Sequence, residues 1–414
     1  MAIIRPFKGF RPLPEYVVDV VAKPYDVLTS EEACIEAEGK PLSFLHVTKP
    51  EIDLPVGTPL YDQTVYQKGK ENLQKLISGG ILKQEPMDCF YLYAQTMGTR
   101  TQYGVIGCVS VQDYLNNAIK KHELTRQDKE EDRTQHVRCT NAHTGPIFLI
   151  YKAEPEIEEI MERIHSNDSL YDFITSDDGI RHQLWLISDD ELIRQIIRFF
   201  SRVPYLYVAD GHHRSAAAAR IGKERAVANP FHDGSEEYNY FLAVLFPHNQ
   251  IQIMEYNRLV KDLNGLNEET FLESIKKMFV FNISDEFQPP KKKGEFSMYL
   301  RGSWYILNVK TKYLNHSDIV ERLDVSILQK YLLEPILDIN DPRTSKRIDF
   351  VGGIREIQEL EKRVDSGEMK VAFVLYPISV DELLAVADAG KIMPPKSTWF
   401  EPKLRDGIVV HFLN

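Results

Sequence analysis

Asp210, Gly211, His212, His213 and Arg214 place a carboxylate, two imidazoles and a guanidinium within five consecutive residues. Groups of these types bind anions, hold metal ions and move protons. The preceding VPYLY is a β-branched and aromatic run that predicts a buried strand. The following RSAAAARIGKER consists of strong helix formers. The cluster therefore belongs at a strand-to-helix turn. The first amides of a helix lack partners and lie at the positive end of its dipole, so phosphate suits that place. Gly211 lets the backbone come close to a ligand, and Arg214 can clamp phosphate oxygens bidentately. Asp210 can cap the helix, hold a metal ion or orient a histidine. A plain Asp-Gly turn with surface histidines is the bland alternative.

Three further strings carry chemistry. KPYDV offers Lys23, Tyr25 and Asp26 in an extended turn, where Lys23 can meet phosphate as a point charge and Asp26 can act as a base or metal ligand. KHELT supplies His122 and Glu123, and EDRTQHVR adds Asp132, Arg133, His136 and Arg138. Alternating signs at helical spacing read equally as a solvated helix face or as part of a site. HELT lacks the second histidine of a zinc-protease helix. PPKSTWFEPK offers Lys396, Ser397, Thr398 and Lys403, either as phosphate contacts or as a loop packed by Trp399 and Phe400. There is no G-x-S-x-G, no P-loop and no G-x-G-x-x-G, which argues against a serine hydrolase, a P-loop kinase and a Rossmann dinucleotide site in their usual forms.

These residues need elements to hold them. Thr29 or Ser30 caps a helix that has Glu31 and Glu32 in its first turn. Val65, Leu73, Leu76 and Ile77 predict an amphipathic helix over 61–78, ended by Gly79 and Gly80. CFYLYAQTM and TQYGVIGCVSV predict a hairpin, and GPIFLIYK, HQLWLIS and FLAVLFP further strands. EPEIEEIMERIHS and DDELIRQIIRFFSRV predict helices. After a change of character near 262 come an alternating hairpin (SMYLR and WYILNVK), a helical stretch over 317–335 and the strand RIDFVGG. The helix IREIQELEKRVDSG, the strand KVAFVLYP, the helix SVDELLAVADAG and a closing strand GIVVHFL follow. The expected class is mixed α/β, with a larger domain over 1–262 carrying the DGHHR turn and a smaller α+β domain over 263–414.

The chain has 414 residues, 43% of them hydrophobic and 27% charged, an ordinary globular composition. A net charge of −11 argues against nucleic acid as a partner. Its four cysteines form no CxxC pair and read as reduced thiols. No signal peptide or membrane span is expected, so a cytoplasmic location follows, and the Asn-x-Ser sequons at Asn167, Asn282 and Asn315 carry no weight.

RPFKGFRP, AKPYDV, KHELT, GPIFLIY, VADGHHR, YNRLV and MPPKSTWFEPK, in this order, resemble the uncharacterised domain-of-unknown-function family 1015 from about residue 3 to 405. That family supplies no activity. The DGHHR turn is also similar to the ParB/sulfiredoxin-like superfamily, in which a Gly-x-His-Arg turn at a helix start holds nucleotide phosphates. Gly211, His213 and Arg214 match that turn. His212 stands where sulfiredoxin has its reactive cysteine, so sulfinic-acid reduction is not implied. The chain also lacks the basic charge and helix-turn-helix of a partition protein. The superfamily's free-serine kinases resemble the turn most.

The expectation is a nucleotide-dependent small-molecule kinase or related phosphoryl-transfer enzyme with a ParB/sulfiredoxin-like core, using ATP or ADP with Mg2+. Gly211, His213 and Arg214 would hold phosphate, helped by Lys23, Lys396 and Ser397. Asp210 would bind Mg2+ or fix a histidine, with His212 in the catalytic group. Glu123 or Asp26 would take the proton from a hydroxyl acceptor such as serine. Two alternatives stay open. One is a metal-dependent hydrolase or phosphatase built on Asp210, His212 and His213. The other is a nucleotide-binding protein without turnover. The sequence leaves the oligomeric state open.

Overall fold

The structure is a computed structural model that describes residues 2–314, 316–353 and 357–414. The sequon at Asn315 and the first three residues of the expected helix from 354 lie outside the described residues. The chain forms two compact units, Met1–Ile251 with Pro402–Asn414, and Gln252–Glu401.

The first unit is built on a nine-stranded mixed sheet. Its path runs Ile119–Lys120, Leu206–Asp210, Ile147–Tyr151, Tyr240–Pro247, Arg100–Ser110, Phe90–Met97, Arg181–Ile187 and Tyr171–Ile174, and Ile4–Arg5 pairs with Arg100–Ser110. Leu206–Asp210 is parallel to Ile119–Lys120 and antiparallel to Ile147–Tyr151. Leu92, Val105, Leu149, Val208 and Leu245 from these strands are buried. They cluster with Ile157, Ile160 and Ile164 of the helix Pro155–His165, with Phe200 of the helix Asp190–Phe200, and with Ala218 and Ala219 of the helix His212–Ala228.

Local chemistry sets the helix ends. Thr29 and Glu32 form a capping box on Ser30–Ala37. Asp62 caps Gln63–Ser78, whose C-cap is Gly79. Asp189 caps Asp190–Phe200. The helices Gln63–Ser78, Gln127–Thr140 and His212–Ala228 pack in succession. Gln127–Thr140 buries polar residues, namely Asp132, Arg133, Thr134 and His136, so the solvated-face reading of that helix does not hold.

The second unit has a six-stranded, wholly antiparallel sheet in the order Phe279–Ser284, Ser303–Val309, Glu295–Leu300, Val371–Leu375, Tyr256–Val260 and Ile348–Gly352. Leu360 and Val364 of the helix Ile357–Asp365 join its core with Leu259, Val351 and Val374.

Two expectations change. The boundary falls at 251/252 rather than 262, because Tyr256–Val260 pairs inside the second sheet. The last segment belongs to the first unit, where Val410 bridges Phe10 and His411–Phe412 pairs with Ala142–His143. Only those two residues of GIVVHFL form a strand, and the 317–335 stretch reduces to Asp324–Leu328 and a π-helical turn over Gln329–Leu333. Among the described residues, no helix is long and apolar enough to cross a membrane.

Candidate functional site

The strand Leu206–Asp210 shifts register between Val208 and Asp210, a bulge that turns the chain as it reaches the polar cluster. Gly211 is the N-cap of the helix His212–Ala228 at φ 91°, a left-handed conformation that a side chain would strain. Among the described residues, no side chain caps this helix start.

Asp210 is held from two sides. Its Oδ1 accepts the Gly211 N–H at 2.7 Å, and its Oδ2 lies 2.9 Å from the Lys403 ammonium. Burial would raise its pKa, but Lys403 and then Arg214 hold it well below the usual carboxylate range. The metal-ligand role expected for Asp210 does not fit this arrangement, because an ammonium stands where a cation would. His213 does not converge with it as the hydrolase alternative required, since its Nε2 accepts the Arg126 N–H at 3.1 Å.

Arg214 turns back along its own turn and is 12% exposed. Its Nη1 donates to the Pro146 carbonyl at 2.9 Å and lies 3.5 Å from Asp406 Oδ1, while its buried Nε has no acceptor among the described residues. It lines a cavity with Tyr25, Arg133, His136, Gly145 and Asp406. The cavity volume is about 30 Å3. That room holds roughly two waters.

Arg133, 9% exposed, donates to Asp132 Oδ2 through Nε at 3.0 Å and Nη2 at 2.8 Å, and its guanidinium carbon lies 3.9 Å from the Tyr25 ring centroid. Burial lowers the pKa of both arginines. Asp132 and Tyr25 outweigh it at Arg133, and Asp26, Asp406 and Asp210 outweigh it at Arg214, so both pKa values rise. Two permanently charged guanidiniums thus face one enclosed space.

Asp406 is 1% exposed, and burial pushes its carboxyl up to about 7 despite the Arg214 charge beside it. Gly145 makes room for it, since a Cβ there would stand 1.9 Å from Asp406 Oδ1. Asp26 is exposed, and its charge acts on both Arg214 and Asp406.

The remaining expected residues divide. Lys23 is committed to Glu36 and Asp177, each at 3.0 Å, so its expected phosphate contact would require breaking ion pairs. Asp177 also receives Arg405, which is 2% exposed and further bonded to Asp178. Lys396 and Ser397 belong to the second unit. There the Lys396 carbonyl accepts from Arg258 at 3.0 Å, and Ser397 Oγ donates to the Pro394 carbonyl at 2.6 Å, contacts that shape the loop.

Glu123 gathers with histidines instead of with Arg214. One ligand atom each from His122, Glu123 and His212 lie within 4.8 Å of one another. The His122 and His212 ring centroids are 4.6 Å apart at 88°. Burial pulls the His122 pKa to about 4, only partly opposed by its hydrogen bond to the Val208 backbone and by the Asp210 charge, and drives His212 well below its ordinary value. Both rings are therefore neutral at pH 7 and offer lone pairs.

Asp406, Gly145 and the paired role of Lys403 were not identified from sequence. Their only local signals were the Asp-Gly step at 406–407, the TGP string before a strand, and a lysine beside proline.

The chain belongs to a family of proteins of unknown function, DUF1015, whose model matches residues 4–326. No curated protein matches it. Among solved structures it is similar to a free serine kinase mutant in complex with AMP, at 13% identity and a TM-score of 0.34, covering 72% of this chain and 86% of that one. A conserved hypothetical protein from Pyrococcus furiosus gives 14% identity and a TM-score of 0.34 over 75% and 95%. SbnI from Staphylococcus aureus, with a C-terminal truncation, gives 12% identity and a TM-score of 0.37 over 73% and 85%.

Proposed function

We propose that the first unit binds nucleotide phosphates at the Arg214–Arg133 cavity and transfers a phosphoryl group from ATP or ADP to a small hydroxyl compound such as free serine. One observation carries this reading: the buried, charged Arg214 has unused donor capacity. Burying a guanidinium is costly unless an anion answers it. Arg133 has Asp132 at hydrogen-bonding distance. Asp26, Asp406 and Asp210 offset part of that cost at Arg214, but Asp406 stands 3.5 Å away with its carboxyl pushed up to about 7, and Nε has no acceptor among the described residues. A phosphate oxygen would complete that set, with the uncapped first amides of His212–Ala228 beside it.

In phosphoryl transfer, positioning and charge neutralisation do most of the work. Arg214 and Arg133 would neutralise developing charge on the transferred group. The backbone from Gly211 to His213 would orient the phosphates. Asp26, exposed and near Arg214, would accept the hydroxyl proton. Mg2+ would accompany the nucleotide and share the charge on the phosphate oxygens. The small cavity must open to admit a nucleotide, since it now holds roughly two waters.

The test is transfer of labelled phosphate from γ-labelled ATP or β-labelled ADP to serine and a panel of small hydroxyl compounds, with Mg2+ present. A labelled phosphoester formed by the wild type and lost in Asp26→Asn supports the reading. Nucleotide binding without any labelled product across the panel would leave a non-catalytic nucleotide-binding protein.

A further inference from the structure

We infer that His122, Glu123 and His212 form a binding site for a borderline transition-metal dication of the Zn2+ class, independent of the nucleotide reading. Two parallel neighbouring strands deliver the three residues. Leu206 pairs with Ile119 and Tyr207 with Lys120, so both strands run out at the same edge. One continues into His122 and Glu123, the other through Asp210 and Gly211 into His212. The carboxyl ends of parallel strands are where ligands of α/β sheets collect.

His122 is 1% exposed and His212 7%. Among the described residues, Nε2 of His212 has no hydrogen-bond partner, and His122, which pairs with the Val208 backbone through one ring nitrogen, leaves its other nitrogen unpartnered. Buried polar nitrogens are normally satisfied, so an unpartnered nitrogen on each of two touching rings calls for a ligand. That ligand must accept lone pairs from both rings while tolerating a carboxylate, which describes a metal cation. The ligand atoms lie within 4.8 Å of one another, and ligands of one tetrahedral zinc stand roughly 3.3 Å apart at Zn–N bonds near 2.0 Å. A bound ion would draw the three ligand atoms together by up to about 1.5 Å.

Two imidazoles and one carboxylate select the metal class. Mg2+ and Ca2+ take oxygen donors, whereas imidazole favours zinc, iron, cobalt, nickel or copper. Three protein ligands leave an open position for water or a substrate oxygen. The neighbouring Asp210 carboxylate, fixed by Lys403, stands next in the chain to the turn that carries His212.

The experiment is Co2+ titration of EDTA-stripped full-length protein, followed by its visible d–d absorption, with Zn2+ then displacing Co2+. The wild type should take up one ion per chain, and Zn2+ should abolish the spectrum. Glu123→Gln, at a half-buried position, should keep the fold by circular dichroism and weaken uptake at least about tenfold. His212→Asn should abolish the spectrum. Arg214→Ala should leave it unchanged, which separates this site from the nucleotide cavity. No stoichiometric Co2+ or Zn2+ uptake by the wild type would overturn the assignment. So would wild-type uptake in a folded Glu123→Gln, even if His212→Asn failed to fold.

Discussion

Replacing Asp406 by asparagine should change how stability responds to pH, in a direction that the burial of this carboxyl sets. The carboxyl is 1% exposed, and burial moves it from 3.8 to about 7. Below pH 4 it is protonated in both the folded and unfolded chain, and the folded state's preference for the proton is fully expressed. Between pH 4 and 7 the unfolded carboxyl ionises while the folded one keeps its proton, so stability falls as pH rises. Above pH 7 both forms are ionised and the full cost is present. The separation from 3.8 to about 7 corresponds to about 4 kcal/mol, at ~1.4 kcal/mol per tenfold change. An amide is neutral throughout, so the Asp406→Asn variant lacks this term, while other titrating groups are shared and largely cancel. The stability difference, variant minus wild type, should therefore rise by roughly 2–4 kcal/mol from pH 4 to pH 8, the lower figure allowing for water entering the cavity. Hydrogen exchange during urea titration, read on peptides covering Leu206–Asp210 and Ile147–Tyr151, reports on the first unit alone. A difference constant within about 0.5 kcal/mol would refute the burial argument for this carboxyl.

Two further perturbations probe the surrounding frame. Gly145→Ala would put a Cβ 1.9 Å from Asp406 Oδ1, so the first unit should lose about 1–3 kcal/mol in the same exchange assay, and an unchanged midpoint would show that the carboxyl can move aside. Arg405→Met leaves Asp177 with Lys23 alone and Asp178 without its arginine, and should cost about 1–3 kcal/mol at pH 7. Burial opposes ionisation of Asp177, but Arg405 and Lys23 lower its pKa to about 2. Its contribution is present above about pH 4 and lost as pH falls through 2, so wild type and variant should converge in acid, and a parallel offset at every pH would contradict this.

The polar turn was legible in the sequence because every local signal agreed. VPYLY reads as a strand, Gly211 suits the left-handed N-cap, and the alanine run reads as a helix; the structure has Leu206–Asp210 followed by His212–Ala228. The helix Gln127–Thr140 was harder. Its buried face carries Asp132, Arg133, Thr134 and His136, so hydrophobic periodicity cannot distinguish it from a solvated face. Burial there is satisfied by pairing: Arg133 with Asp132, and His136 Nε2 with the Val47 carbonyl at 2.9 Å. Asp406 was invisible for another reason. Its environment is assembled from Tyr25, Gly145 and Arg214, segments far apart in the chain, and no spacing rule links them. HELT was set aside for lacking a second histidine four residues on. The second histidine comes instead from the neighbouring strand's turn, as His212.

Calorimetric titration of ATP, ADP and inorganic phosphate into wild type and Arg214→Ala bears most directly on the cavity's role. Nucleotide binding by the wild type, weakened by roughly 1.5–3 kcal/mol (about tenfold to 150-fold) in the variant, is the result expected if Arg214 answers a phosphate. Equal affinity in the two proteins, or no nucleotide binding by the wild type, would contradict it.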